Sequence, residues 1–382
     1  MKTKIKVVDL FSGVGGLTFG FYYKQVKSKF QVRDEFDICF ANDFDSQASE
    51  GFKSNFKNIK MLNCPIETID ESLLLKNNIN YSDIDLIIGG PPCQSFSTIG
   101  KRKNDSRSRM YEEYVRILTL LKPKVFIFEN VLGILSFKTD EGIQIIDLIT
   151  SKFEQSGYQV NLQTINAKHF QIPQNRIRVF LVGIRIDSGL IFEQLHPQSN
   201  DLLTLRDAIS DLPLNTAEYG DVNYLRKPSN RFQRLMRNKS ETVSEHNYRP
   251  HGQRLQSIMR NLGPGESLKD INKKVENGDL PMELLLTSGY PNSYGRLLWN
   301  KPSSTITNNF GTPSSIRCIH PSEDRSLTIR EAARLQTFPD WFLFHGSTKA
   351  KKTQIGNAVP PLLSLALANS IIKMFLQKSF TK

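Results

Sequence analysis

The run Ile84-Asp85-Leu86-Ile87-Ile88 stops at Gly89-Gly90-Pro91-Pro92, and this break limits what the chain can fold into more than any other stretch. A short apolar run closed by Gly and Pro reads as a buried strand breaking into a loop. Consecutive prolines fix φ at both positions and restrict the residue before each, so Cys93 is presented on a stiff backbone just past the strand's carboxyl end. Open α/β sheets bind their ligands at that edge. A lone Cys is more often a small buried hydrophobe, but the residues around this one are poor core formers: Gly and Pro before it, Gln94-Ser95 after it.

The same grammar recurs along the chain. Ile5 to Leu10 is β-prone and leads through Phe11-Ser12-Gly13-Val14-Gly15-Gly16-Leu17 into a helical segment ending near Tyr23. Phe36 to Ala41 reads as a strand closed by Asn42-Asp43-Phe44, before a helical run to Phe56. Lys124 to Phe128 ends in Glu129-Asn130-Val131, and a helical segment near Thr139 to Gln155 precedes strands starting at Tyr158 and spanning Gln174 to Gly183. This alternation predicts an α/β fold, a doubly wound and mostly parallel sheet. At 382 residues the chain is long for one core. Beyond about residue 190 the alternation fades into a stretch rich in Arg, Asn, Ser, Pro and Gly, which predicts a second, smaller domain.

Lys plus Arg outnumber Asp plus Glu 50 to 38, a net +12, so nucleic acid is the first partner to consider and a generic soluble surface the alternative. Cys39, Cys64, Cys93 and Cys318 show neither Cys-x-x-Cys nor a His-rich spacing, which argues against a disulfide framework and against structural zinc, and no metal is expected. The amino terminus lacks the apolar region of a signal peptide, and no run approaches a membrane span. Leu362 to Leu376, interrupted by Asn369, Ser370 and Lys373, reads as a core helix. A cytoplasmic protein without membrane contact is expected.

Several polar groups share the predicted edge with Cys93. The Gly-x-Gly-Gly turn permits close backbone approach to a ligand, but it is not the dinucleotide Gly-x-Gly-x-x-Gly, and a structural tight turn explains it as well. Asp43, closing a strand, can accept hydrogen bonds from ribose hydroxyls. Lys101, Arg102, Lys103, Arg107 and Arg109 suit a lid over phosphates, against the plain alternative of a solvated loop. Glu129 is either a surface cap or a catalytic acid whose partial burial keeps a proton near neutral pH. Arg176 and Arg178 share one face of a strand and need an anionic or carbonyl partner, an ordinary salt bridge being the simplest.

Over nearly the whole chain, and in the same order, these motifs resemble the DNA cytosine-5 methyltransferases of bacterial restriction-modification type. The matching stretches are the glycine loop, Asp43-Phe44, Pro92-Cys93, Glu129-Asn130-Val131, Gln174-x-Arg176-x-Arg178 and Gly356-Asn357-Ala358-Val359. The resemblance implies a fold that binds S-adenosyl-L-methionine and releases S-adenosyl-L-homocysteine. It places Phe11, Gly13, Gly15, Gly16, Leu17, Asn357 and Val359 at the cofactor, with Asp43 on the ribose, Phe44 on the adenine and the Ile66 amide at the ring. It makes Cys93 the nucleophile toward cytosine carbon 6, sets Glu129 at ring nitrogen 3 and Arg178 on the base carbonyl, and gives Arg176 a supporting role. The chain departs from the family in having Asp43 where Glu is usual, and Cys64-Pro65-Ile66 where an acid is usual.

By the same resemblance, DNA contacts fall to Ser95, Lys101, Arg102 and Arg109, with Ile99 approaching the gap left by a flipped base. Asn292, Tyr294 and Arg296 are expected to read bases, Thr305 belongs to a threonine-aliphatic element, and Arg330 to Gln336 organises the recognition domain. The expected division is 1–190, completed by 350–382, for catalysis and cofactor, and 191–349 for recognition and hinge. The expected partners are double-stranded DNA and a cognate restriction endonuclease, with the protein monomeric. Transfer-RNA methylation is the alternative, because the catalytic residues cannot tell deoxyribose from ribose; the sizeable recognition segment favours duplex DNA. A catalytically inactive DNA-binding scaffold would not need Cys93, Glu129 and Arg178, and a Rossmann oxidoreductase would need the missing Gly-x-Gly-x-x-Gly. The lack of an amino-terminal regulatory extension fits a bacterial or phage enzyme.

Overall fold

The apolar runs do become the strands of one sheet in a computed structural model, which describes residues 4–92, 110–214, 220–238, 240–248 and 250–377. In chain order the strands are β1 (Ile5–Leu10), β2 (Tyr23–Val26), β3 (Lys29–Val32), β4 (Phe36–Asp43), β5 (Met61–Asn63), β6 (Leu86–Gly89), β7 (Val125–Val131), β8 (Tyr158–Asn166) and β9 (Ile177–Arg185). The helices are α1 (Thr18–Tyr22), α2 (Ser46–Asn55), α3 (Glu71–Lys76), α4 (Met110–Leu121), α5 (Ile145–Gln155), α6 (Leu205–Ile209), α7 (Arg231–Arg237), α8 (Gln253–Arg260), α9 (Leu268–Glu276), α10 (Ile329–Leu335), α11 (Thr348–Asn357) and α12 (Pro361–Gln377). The seven-stranded sheet runs β5-β4-β1-β6-β7-β9-β8. Neighbours from β5 to β7 are parallel, and β9 alone is reversed against both its neighbours. This is the α/β, mostly parallel sheet that the alternation predicts.

Because side chains alternate across a strand, each strand feeds two cores. Val7, Ile88, Ile127 and Phe180 pack on one face with Phe19 of α1 and Leu363 and Leu367 of α12. Val8, Leu10, Ile87, Phe126 and Phe128 pack on the other with Tyr114, Ile117 and Leu118 of α4 and Ile149 and Phe153 of α5. A third, small cluster joins Ile258, Met259, Ile271, Val275, Leu284, Leu286, Tyr294 and Ile319.

Three boundaries differ from the periodicity. β9 begins at Ile177, not Gln174, because residues 174–176 bond a distant segment, with Asn175 N donating to Ser303 O at 2.8 Å. α5 begins at Ile145, since Thr139 N donates to Ile143 O in a tight turn before it. α1 ends at Tyr22, and Tyr23 opens the β2–β3 hairpin, which the sequence pattern does not announce.

The expectation that no run approaches a membrane span needs correction. Residues 348–377 are long and apolar enough to cross one by length and composition, with mean hydropathy 1.6 in the most apolar window. That window is 67% buried inside the protein, so its apolarity is spent on packing. α12 lies on α1, where Gly20 N donates to Ser364 Oγ at 2.9 Å and Ser364 Oγ donates to Leu17 O. A Cβ at Gly20 would overlap the Ser364 backbone.

Gly20→Val therefore drives a side chain into the α1–α12 contact, and is expected to destabilise by roughly 2–3 kcal/mol. A fall in the urea midpoint with unchanged slope would show this; an unchanged midpoint would mean that α12 is not seated on α1.

Asp9 on β1 is fully buried, with Thr18 Oγ1 donating to Oδ2 and Oδ1 without a hydrogen bond among the described residues. Burial pushes its carboxyl up to about 8, and the Asp43 charge adds to this. The folded state then binds one more proton than the unfolded chain between about pH 4 and pH 8. The stability so contributed is complete below that window and is lost as pH rises through it. In urea titrations the native protein should weaken across this window by up to about 1.4 kcal/mol per pH unit from this group. Asp9→Asn should flatten the dependence, and an identical slope in the variant would exclude Asp9 as its source.

Candidate active site

The parallel strands deliver their chemistry to one edge. β1 ends at the glycine loop, β4 at Asp43, β6 at Gly89–Pro92 and β7 at Glu129–Val131. The loop hangs on β4: Ser12 N donates to Asn42 O at 2.9 Å, and Gly13 N to Asp43 Oδ2 at 2.8 Å. The other oxygen, Oδ1, accepts from Asp45 N at 2.9 Å, and Asp45 itself caps α2 through Gln47 N and Ala48 N. Phe11 adopts φ +55°, costly for a non-glycine residue and held here by its neighbours in the loop. Gly16 has no room for a side chain, since a Cβ there would lie 2.5 Å from Val359 O. The closing Asn357–Val359 turn is thus packed against the glycine loop, with Val359 buried and Asn357 exposed.

An adenosyl group needs an acceptor for its ribose hydroxyls, an apolar face for its base and close backbone approach. Each Asp43 oxygen accepts one backbone N–H and retains capacity for another donor. Phe44 is 71% exposed beside it, and nothing lies within 4 Å of where a Gly13 Cβ would be. These residues fit the group. Leu17 is buried, its carbonyl taken by Ser364, and Ile66 is buried at the start of the 3-10 turn Ile66–Thr68. Among the described residues no group of three or more His, Cys, Asp or Glu could hold a metal ion.

Glu129 is 8% exposed at the end of β7. Arg178 Nε stands 3.1 Å from its Oε1, and a Cβ on Gly90 would stand 2.9 Å from its Oε2. Burial raises the Glu129 carboxyl above its ordinary range, with Arg178 and then Arg176 opposing the rise. The carboxyl whose proton affinity burial raises is thus also the partner of Arg178.

Arg176 precedes β9 and is 1% exposed. Its Nη1 donates to Ile306 O at 2.9 Å, and its Nη2 donates to Gly356 O and Ala358 O at 3.0 Å each. Gln174 beside it donates to Gln336 Oε1 at 2.9 Å and accepts from Ile306 N at 2.9 Å, and Gln336 donates to Ile355 O at 2.6 Å.

Cys93, Ser95, Ile99, Lys101, Arg102 and Arg109 lie outside the described residues. Of the expected base readers, Asn292 is exposed, but Tyr294 and Arg296 must be reassigned. Tyr294 packs in the small third core. Arg296 is buried and spends all five N–H groups, on Leu262 O, His320 O, Glu323 O, Met259 O and Asp324 Oδ1. A guanidinium so engaged has no donor left for a base edge. Thr305 is half-buried and donates to Asn175 O at 2.8 Å.

Arg330 to Leu335 are all buried: Glu331 takes a two-pronged bond from Arg325, and Arg334 bridges Asp211 and Asp340. Asn42 and Arg116 bond the backbone around Ile66 without any signal in spacing or motif, whereas Gln336 closes the Arg330 to Gln336 motif and bonds Ile355 O.

A family model for C-5 cytosine-specific DNA methylases matches residues 5–373. The type II methyltransferase M.DdeI of Desulfomicrobium norvegicum is 35% identical, across 96% of this chain and 88% of its own length. The type II methyltransferase M.AgeI of Thalassovita gelatinovora is 31% identical, across 96% and 99%. A crystal structure described as a DNA modification methyltransferase encoded within an E. coli prophage superposes with a TM-score of 0.74 at 26% identity, covering 97% of this chain and 99% of that one. The S. pombe Dnmt2 methyltransferase, 16% identical with a TM-score of 0.57 over 97% of this chain and 99% of its own, shares the fold. The match runs from the first strand into the last helix, and the chain belongs to the C-5 cytosine-specific DNA methylase family.

Proposed function

We propose that this DNA cytosine-5 methyltransferase modifies one cytosine in a short duplex sequence through Cys93, with Glu129 and Arg178 holding the ring. The observation that carries this is the buried Glu129–Arg178 pair beside Gly90, three residues before Cys93. Addition at carbon 6 and methyl transfer to carbon 5 approach the ring face, which stacking covers in a duplex, so the base must flip out to reach this edge. The Cys93 thiolate adds to carbon 6, and Glu129, keeping a proton because it is buried, donates it to ring nitrogen 3. Arg178 bonds the base carbonyl, and Arg176 positions the strand that carries it. Once carbon 5 has accepted the methyl group, its proton leaves to water, ring nitrogen 3 returns its proton to Glu129, and expulsion of the Cys93 thiolate restores the aromatic ring.

S-adenosylmethionine, when bound, supplies the electrophilic methyl group and leaves as S-adenosylhomocysteine. Phe11, Gly13, Gly15, Gly16, Leu17, Asn357 and Val359 line its place, Asp43 accepts from the ribose, Phe44 covers adenine and the Ile66 amide meets the ring. Residues 1–190 with 350–382 form the catalytic part. Residues 191–349 form the recognition part and hinge; its stretch from Ile258 to Ile319 carries a small core of its own, while Leu205 to Val243 and Leu327 to Phe344 pack into the core shared with α1 and α12. The exposed run Thr287 to Asn292, including Tyr290, is the base-reading loop, Thr305 lies near the DNA, and Ser95, Ile99, Lys101, Arg102 and Arg109 belong to the DNA-closing segment. The protein acts as a cytoplasmic monomer on double-stranded DNA, paired with an endonuclease of the same specificity.

A duplex carrying 5-fluorocytosine at the target should accept the methyl group and stay covalently attached, because fluorine cannot leave as a proton. Denaturing electrophoresis should show this adduct with the native protein, none with Cys93→Ala, and slow formation with Glu129→Gln. An adduct that persists in Cys93→Ala would assign the chemistry to another nucleophile.

Arg296→Ala, which orphans four carbonyls and a carboxylate, should cost roughly 3 kcal/mol or more of stability without a selective change in site preference. Asn292→Ala should relax discrimination between sites by about 1–3 kcal/mol in competition binding while leaving stability near native. The reverse pattern would return base reading to Arg296.

A further inference from the structure

The turn that carries Ile66 is held from two sides. Asn42 Nδ2 on β4 donates to Leu62 O at 3.0 Å and Cys64 O at 2.9 Å. From α4, Arg116 Nη2 donates to Ile66 O at 2.8 Å and Nη1 to Ile69 O at 2.7 Å, while its Nε is fixed on Glu113 Oε2 at 2.7 Å. The turn's own bonds are three: Thr68 N to Pro65 O and Ile69 N to Ile66 O, each 3.1 Å, and Thr68 Oγ1 to Pro65 O at 2.7 Å. One isolated 3-10 turn does not hold its shape unaided. A planar guanidinium bridging the carbonyls at both ends fixes its orientation.

Cys64-Pro65-Ile66 offers no carboxylate, and Pro65 has no N–H. A ligand base on this side is therefore met by backbone, and the first residue of the turn is where helical geometry leaves an N–H free to donate. We propose that Arg116 is a positioning residue that aims the Ile66 N–H at a ring nitrogen of the cofactor's adenine. The inference rests on the assignment of Ile66 to the adenine. It also ties two sites together, because α4 directly follows in sequence the segment that bears Cys93. The helix that follows the nucleophile's segment in sequence thus also supports the turn that carries Ile66.

The test is calorimetric binding of S-adenosylhomocysteine and its 1-deaza, 3-deaza and 7-deaza analogues to the full chain, native and with Arg116→Met or Arg116→Lys. Replacing the ring nitrogen that accepts the N–H with carbon should weaken binding to the native protein about tenfold. In Arg116→Met that selectivity should collapse to within about threefold, with S-adenosylhomocysteine itself bound about tenfold more weakly. Lys, which reaches one carbonyl but cannot bridge two, should retain part of the selectivity. Full selectivity in Arg116→Met overturns the role of Arg116 and leaves the Ile66 assignment standing. Should that variant not fold, full selectivity in Arg116→Lys does the same and reduced selectivity supports the proposal. Equal binding of all four ligands by the native protein overturns the Ile66 assignment, and the inference with it.

Discussion

Arg176 sits inside the protein with its terminal nitrogens on the carbonyls of Ile306, Gly356 and Ala358. Burying a guanidinium is costly unless its donors are matched; here three carbonyls, from the segment around Ile306 and from the closing turn, take the terminal nitrogens, while Nε has no hydrogen bond among the described residues. Neither can drift without uncovering the charge. The effect reaches further through rigid contacts. The turn held at Gly356 and Ala358 supports Val359, Val359 backs Gly16, and the loop containing Gly16 is pinned to Asp43. Two residues beyond Arg176, Arg178 reaches Glu129. One buried cation thus sets the spacing between the glycine loop and the Glu129–Arg178 pair.

At Glu129, burial and a salt bridge act on one carboxyl in opposite directions. Loss of water favours the neutral form, the two arginines favour the charged form, and the former prevails. The arginines still lower the cost of the charge that appears once the proton is passed on, which suits a group that must give and regain one proton. The net charge of +12 is a poorer guide to the DNA surface than it first looks. Arg176, Arg296, Arg325, Arg330 and Arg334 are buried on carbonyls and carboxylates and hold the fold together.

The sheet was legible because its strands are short apolar runs closed by Gly, Asp or Glu, and those closing residues are the ones at the chemical edge. Asp43, Glu129 and the glycine loop were found for that reason. Gln174 to Arg176 looked like strand because an apolar run follows, but backbone partners more than a hundred residues away pull it out of the ladder. Arg296 looked like a base reader because Arg beside Tyr, Asn and Ser in a polar loop suits base edges. Composition alone does not separate an Arg that faces solvent from one that ties loops together. Arg116 and Asn42 were invisible for a related reason: each works through backbone carbonyls, which leave no trace in residue type.

The proposed addition of Cys93 to the target cytosine of one DNA sequence is tested most directly by bisulfite sequencing of a plasmid recovered from an expressing host. Cytosines resistant to conversion are expected at every copy of a single short motif, with complete conversion when the host expresses Cys93→Ala. No resistant cytosine with the native protein, or resistance that survives Cys93→Ala, would contradict it.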